Sequence, residues 1–150
     1  MLKNRKEYTM SFLLDYTSGI GMPRPQMQHQ EVLSFWLTNM NLELRPRGFF
    51  ALAENAVVQG KGERVPDIVI YNPHRTPLAF FEIARSCQIE KDMEKCEELM
   101  DLFPAVEYFV YDYEEEMLYA FDPESNEWIN SEEDRVTSQY LRKPVIEYID

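Results

Sequence analysis

The chain is short of cysteine and glycine and has no long apolar run, and each shortage removes a class of protein. Its two cysteines, Cys87 and Cys96, stand nine apart with no second pair and no adjacent histidine. That is not zinc-site spacing, and it suits reduced thiols in a cytoplasmic protein. Only five glycines occur in 150 residues, none arranged as a phosphate-binding loop. Gly-x-Ser-x-Gly, His-Glu-x-x-His and Cys-x-x-Cys are absent as well, which disfavours P-loop NTPases, α/β-hydrolases and zinc proteases. No apolar stretch approaches the roughly 18 residues of a membrane span. The basic opening, Met1 to Glu7, leads into no apolar segment, so no signal peptide is expected.

What remains is the composition of one globular domain, expected to span 1–150: 45% hydrophobic, 28% charged and 13% aromatic. The net charge of −12 argues against a general nucleic-acid binder, but it is unevenly spread. Residues 1–50 carry six Lys/Arg against four Asp/Glu, whereas Glu90 to Asp134 holds seventeen acids and two lysines. A polyanion-binding surface is therefore expected from the basic part, with Arg24, Arg45, Arg47, Lys61 and Arg64 as candidates.

Periodicity supplies the elements. After the stiff Met22-Pro23-Arg24-Pro25, the apolar stripe His29, Val32, Leu33, Trp36 and Met40 predicts a helix over about 27–40. Short strands are predicted at 42–45, 49–53 and 56–59, with Gly60-Lys61-Gly62 breaking the pattern. Val65 to Tyr71 and Leu78 to Ala84 are apolar on both faces and should be central strands. A helix is expected from Ile89 to Phe103, then a strand over 106–112, a hairpin return over 117–121, a further strand near 126–129 and an edge strand over 145–149. This order predicts an α/β (α+β) fold, a mixed sheet flanked by helices.

The chemistry follows from register. If the two central strands pair antiparallel about Asn72 to Pro77, with Tyr71 opposite Leu78, then Asp67 stands opposite Glu82. Directly opposed side chains share a face with Cβ atoms about 5 Å apart. Two carboxylates in an apolar sheet need a counter-charge, and Mg²⁺ (or Mn²⁺) between them would supply it. The Ile83 carbonyl is a candidate third ligand, and Lys95 on the following helix, with Lys91 the alternative, a candidate catalytic ammonium. Glu31 or His29 could assist from the first helix. Each residue alone also has a plainer reading: Asp67 as a turn residue after proline, Lys95 as a solvated partner of Asp92 or Glu98, His29 as a core or capping group. The acidic face Glu90, Asp92, Glu94, Glu97, Glu98, Asp101 reads most simply as solvated surface. Tyr111, Tyr113 and Tyr119 read as core, with a homodimer surface as the alternative.

These stretches, taken in order, resemble the PD-(D/E)xK restriction-endonuclease-like superfamily and, within it, the Uma-type endonuclease family. The resemblance rests on Met22-Pro23-Arg24-Pro25 before His29-Gln30, Val65-Pro66-Asp67-Ile68-Val69, Glu82-Ile83-Ala84, Asp92-Met93-Glu94-Lys95 and Val106 to Asp112, and spans about residues 8–150. It implies a restriction-endonuclease-like core, Mg²⁺ or Mn²⁺ and a DNA substrate. The superfamily's lysine slot two residues after Glu82 holds Ala84, and the resemblance implies that Lys95 substitutes. Asp15 and Glu31 are the choices for the family's N-terminal acid. The function expected is a metal-dependent nuclease. The alternatives are a catalytically degenerate module that binds a partner through its acidic face, or a small dimeric structural protein.

Overall fold

A computed structural model describes residues 24–53, 66–104, 106–130 and 136–149. The chain divides into two compact units, Met1–Glu31 and Val32–Asp150. Of the first, only the opening turns of a helix belong to the described residues.

That helix, α1, runs Arg24–Leu44 and passes into a 3₁₀ turn, Arg45–Arg47. It is longer than the stripe predicted. Leu33, Trp36, Met40 and Leu44 are all buried at intervals of three and four, and Leu42 is 73% exposed. The strand expected at 42–45 is therefore the end of a helix, because the apolar repeat there has a period near 3.6 rather than 2. Pro46 supports the 3₁₀ turn and Gly48, at φ +85, ends it.

Six strands follow: β1 Phe50–Ala53, β2 Ile68–Tyr71, β3 Pro77–Ala84, β4 Glu107–Asp112, β5 Met117–Asp122 and β6 Glu127–Asn130. They form one sheet in sequential order. All neighbours are antiparallel except β3 and β4, which pair in parallel. A parallel pair requires a crossover, and helix α2, Ile89–Met100, provides it. The fold is α+β with a mixed six-stranded sheet, as the order of elements predicts. The segment 56–59, expected as a strand, lies outside the described residues.

The sheet buries both faces. On one, Trp36, Met40 and Leu44 of α1 meet Ile68, Ile70, Phe81 and Phe109. On the other, Cys96 and Leu99 of α2 meet Val69, Phe80, Tyr108 and Val110. Alternate residues of β3 thus serve opposite cores, the reason its sequence is apolar throughout. Buried Tyr111 belongs to the α1-side core. The expected C-terminal strand is instead a 3₁₀ turn, Val145–Tyr148. Val145 and Tyr148 are its buried positions, three apart, and the Val145 N–H donates to the Val136 carbonyl.

Candidate functional site

Register places the two acids. β2 and β3 pair Ile68 with Phe81, Val69 with Phe80 and Ile70 with Ala79. One step outward from the Ile68–Phe81 pair brings Asp67 level with Glu82. The irregularity lies at the other end, where Tyr71 meets Pro77 rather than Leu78, so it does not disturb the acid end. The link is direct: the Ile83 N–H donates to Asp67 Oδ2 at 2.8 Å. Asp67 and Glu82 share the face of Val69 and Phe80, the face covered by α2.

Ile83 has a second group at this end. The Ala84 carbonyl accepts from the Tyr113 N–H beside β4. Strand geometry turns successive carbonyls to opposite edges, so that of Ile83 faces the β2 side, where its N–H already meets Asp67.

Glu82 is 1% exposed. Lys95 reaches it from α2, Nζ 3.1 Å from Oε2, and the lysine side chain keeps 24% of its exposure. The contact is an ion pair at hydrogen-bonding distance, and Oε2 has no further donor among the described residues. Burial pushes the Glu82 carboxyl well above its ordinary value; the Asp67 charge adds to this, Lys95 opposes it and Asp92 adds again. For Lys95, burial lowers the ammonium, but Glu82, Asp92 and Asp67 outweigh it and the net direction is up. Both groups hold protons more tightly, Glu82 chiefly because it is buried and Lys95 because of the carboxylates around it. Buried Cys96 lies in the same field, its thiol pushed well up by burial and then by Glu82.

Asp92 belongs to this cluster, although sequence reasoning placed it on a solvated face. It is half-buried and contributes to the fields at Glu82, Lys95 and Cys96. The available signal was its spacing: Asp92, Cys96 and Leu99 fall at i, i+4 and i+7, a stripe facing the sheet.

A second buried acid gives the contrast. Asp112 accepts from Ser86 Oγ at 2.7 Å and from the N–H groups of Glu114 and Glu115 at 3.0 and 3.1 Å. Its carboxylate closes the β4–β5 turn and is satisfied there. Oε2 of Glu82 meets the Lys95 ammonium alone among the described residues.

The donors near Glu82 suit a hard cation of limited protein ligation. Among the described residues no three His, Cys, Asp or Glu side chains gather closely enough to hold an ion by themselves. Two carboxylates and a carbonyl are nonetheless the kind of donor set Mg²⁺ accepts, since it keeps several waters and often binds through one or two carboxylates and its substrate.

The other expected residues stand elsewhere. His29 is half-buried and Glu31 exposed, both on the first turns of α1 in the N-terminal unit. Arg47 is engaged, donating to Glu43 at 3.0 Å and to the Tyr140 carbonyl at 2.6 Å. Arg45 is exposed beside a cavity. Lys61, Arg64 and the side chain of Arg24 lie outside the described residues. A larger cavity, about 680 Å³ beside β4 and β5, includes none of the acid cluster.

This topology recurs in a solved structure. A candidate nuclease of the DUF820 family from Anabaena variabilis superposes with a TM-score of 0.60 at 15% identity, covering 92% of this chain and 94% of that one. The likeness is one of fold. No protein-family model matches the chain, and no curated protein does. No described helix is long and apolar enough to cross a membrane.

Proposed function

We propose that the chain is a metal-dependent nuclease of the PD-(D/E)xK type and Uma-like branch, hydrolysing phosphodiester bonds, with DNA as the substrate. The observation that carries this reading is Glu82: a carboxylate at 1% exposure, level with Asp67 on one sheet face, whose Oε2 meets the Lys95 ammonium as its one counter-charge among the described residues. Asp112, a structural acid, takes three directed donors instead. The description of the Anabaena variabilis protein as a candidate nuclease is consistent with it.

Asp67, Glu82 and the Ile83 carbonyl would hold Mg²⁺ or Mn²⁺, which supplies charge at a phosphoryl oxygen and acidifies a bound water. Asp67 is oriented for this by the Ile83 N–H, which fixes Oδ2. Lys95 balances Glu82 in the resting site and, being partly exposed, can swing its ammonium to a non-bridging phosphate oxygen. Ala84 leaves the lysine to come from α2.

Isothermal calorimetry with Mn²⁺, together with cleavage of single- and double-stranded DNA, tests this. Wild type should bind and cleave, and Asp67→Ala and Glu82→Gln should lose both. Equal heats in wild type and Asp67→Ala would sink the proposal. One observation favours a second reading, a structural protein whose buried acid is balanced from within: Lys95 pairs with Glu82. That reading expects an intact fold, no cleavage and no metal heat.

A further inference from the structure

The face that carries Asp67 and Glu82 continues along β2 to a second feature. Phe50 pairs with Tyr71 and Leu52 with Val69, so Phe50, Leu52 and Tyr71 lie on the same face as the acids. Phe50 and Tyr71 stack, centroids 5.4 Å apart and planes 22° from parallel. They line a cavity of about 500 Å³ with Leu52, Arg45 and Arg75. That volume lies within the range of small-ligand pockets. Leu52 is 37% exposed, and both arginines are exposed. Among the described residues neither guanidinium has a carboxylate within ion-pair distance.

The backbone of Arg75 is held in a turn. It sits at φ 66 in a turn whose Asn72 Oδ1 accepts the N–H groups of His74 and Thr76, and its own N–H donates to the Asn72 carbonyl. Two arginines beside half-buried aromatic rings are out of character for a chain of net charge −12. Four residue steps separate Tyr71 from Asp67, roughly 14 Å of extended chain.

We infer that this pocket is a subsite for single-stranded nucleic acid, seating one unpaired base against Phe50 and Tyr71 and its flanking phosphates on Arg45 and Arg75. The inference rests on the nuclease reading for its meaning, as the place where a strand leaving the acid site is held. The aromatic faces select an unpaired base, because a duplex keeps its base faces stacked inside. The guanidinium forks suit phosphate. An acidic peptide would use the arginines but not the ring surface.

The experiment is fluorescence anisotropy of a labelled oligothymidylate of eight nucleotides, and of an abasic strand of equal length, in EDTA. Wild type should bind oligothymidylate about tenfold more tightly than the abasic strand, the difference a stacked base makes. Phe50→Leu should erase that preference. Arg45→Gln with Arg75→Gln should weaken both strands and reduce the slope of log K against log salt by about 1.4, or 0.7 for each phosphate contact. Denaturation midpoints check that the variants fold. Equal affinity for the two strands, an unchanged salt slope in the arginine variant, or no binding by wild type overturns the subsite. Mn²⁺-dependent cleavage separates the two ideas. Cleavage that persists with unchanged KM in the arginine variant sinks the subsite alone. Binding as described without any cleavage sinks the nuclease reading alone.

Discussion

Lys95 Nζ stands 3.1 Å from Oε2 of a glutamate that water scarcely reaches. Removing one member of such a pair leaves the other charge uncompensated, a loss of about 3 kcal/mol or more. Lys95→Met should therefore destabilise the fold by roughly that amount at pH 7, measured by urea denaturation. Adding Glu82→Gln should recover much of the loss. A double variant as unstable as the lysine variant would show that the lysine matters through packing.

Metal should act on stability in the same place. An ion that binds only the folded chain stabilises it by about 2.7 kcal/mol at a hundred times its Kd. Thermal melts with Mn²⁺ should show a rise in Tm for wild type and none for Asp67→Asn. An equal rise in both would place the ion elsewhere.

Much of this arrangement is legible in the sequence. The two strands that carry the acids are apolar on both faces and joined by an unmistakable loop, so their register could be counted outward from Asn72 to Pro77. The count survives although Tyr71 pairs with Pro77, because the irregularity is confined to the loop end. Asp92 was hidden for the opposite reason. It stands among Glu90, Glu94, Glu97 and Glu98, where charge alone cannot show which acid turns inward; only its spacing from Cys96 and Leu99 does. Two short segments misled. Leu42 to Arg45 and Val145 to Ile149, each taken alone, are too short for periods of 2, 3 and 3.6 to be told apart, and their neighbours decide them. Trp36 Nε1, for instance, donates to the Val145 carbonyl at 3.3 Å.

Asn41 supports the outer strand. Its side chain accepts the Ala51 N–H at 2.8 Å and donates to the Ala51 carbonyl at 3.0 Å, covering an edge that would otherwise be open. Ala51 is 1% exposed, so both backbone groups lose their partners if the amide is removed. Asn41→Ala should cost about 1–3 kcal/mol. Faster hydrogen exchange at Ala51 would accompany the loss, and unchanged protection there would count against the role.

Alkaline pH probes the closure between α1 and the C-terminal turn, where the Tyr148 hydroxyl donates to Glu43. Burial, then the Glu43 hydrogen bond, pushes the phenol up from 10.0 to about 12. A raised pKa means the folded state keeps a proton that the unfolded state releases. The contribution is complete below pH 10 and disappears as pH rises through 12. Tyr148→Phe should cost about 1.5–3 kcal/mol at pH 7, the value of a hydrogen bond to a charged partner. The gap between variant and wild type in urea denaturation should narrow between pH 10 and 12, and a constant gap would refute the coupling.

The contiguity of β2, β3 and α2 has a kinetic side. The hairpin alone would set Asp67 against Glu82 with nothing between them, and the residue that relieves this repulsion arrives only when α2 docks. A half-built intermediate holding the hairpin but not the helix is thus penalised by its own charges. Docking of α2 delivers the counter-charge that the hairpin lacks, and it also removes Glu82 from the water that would otherwise screen it.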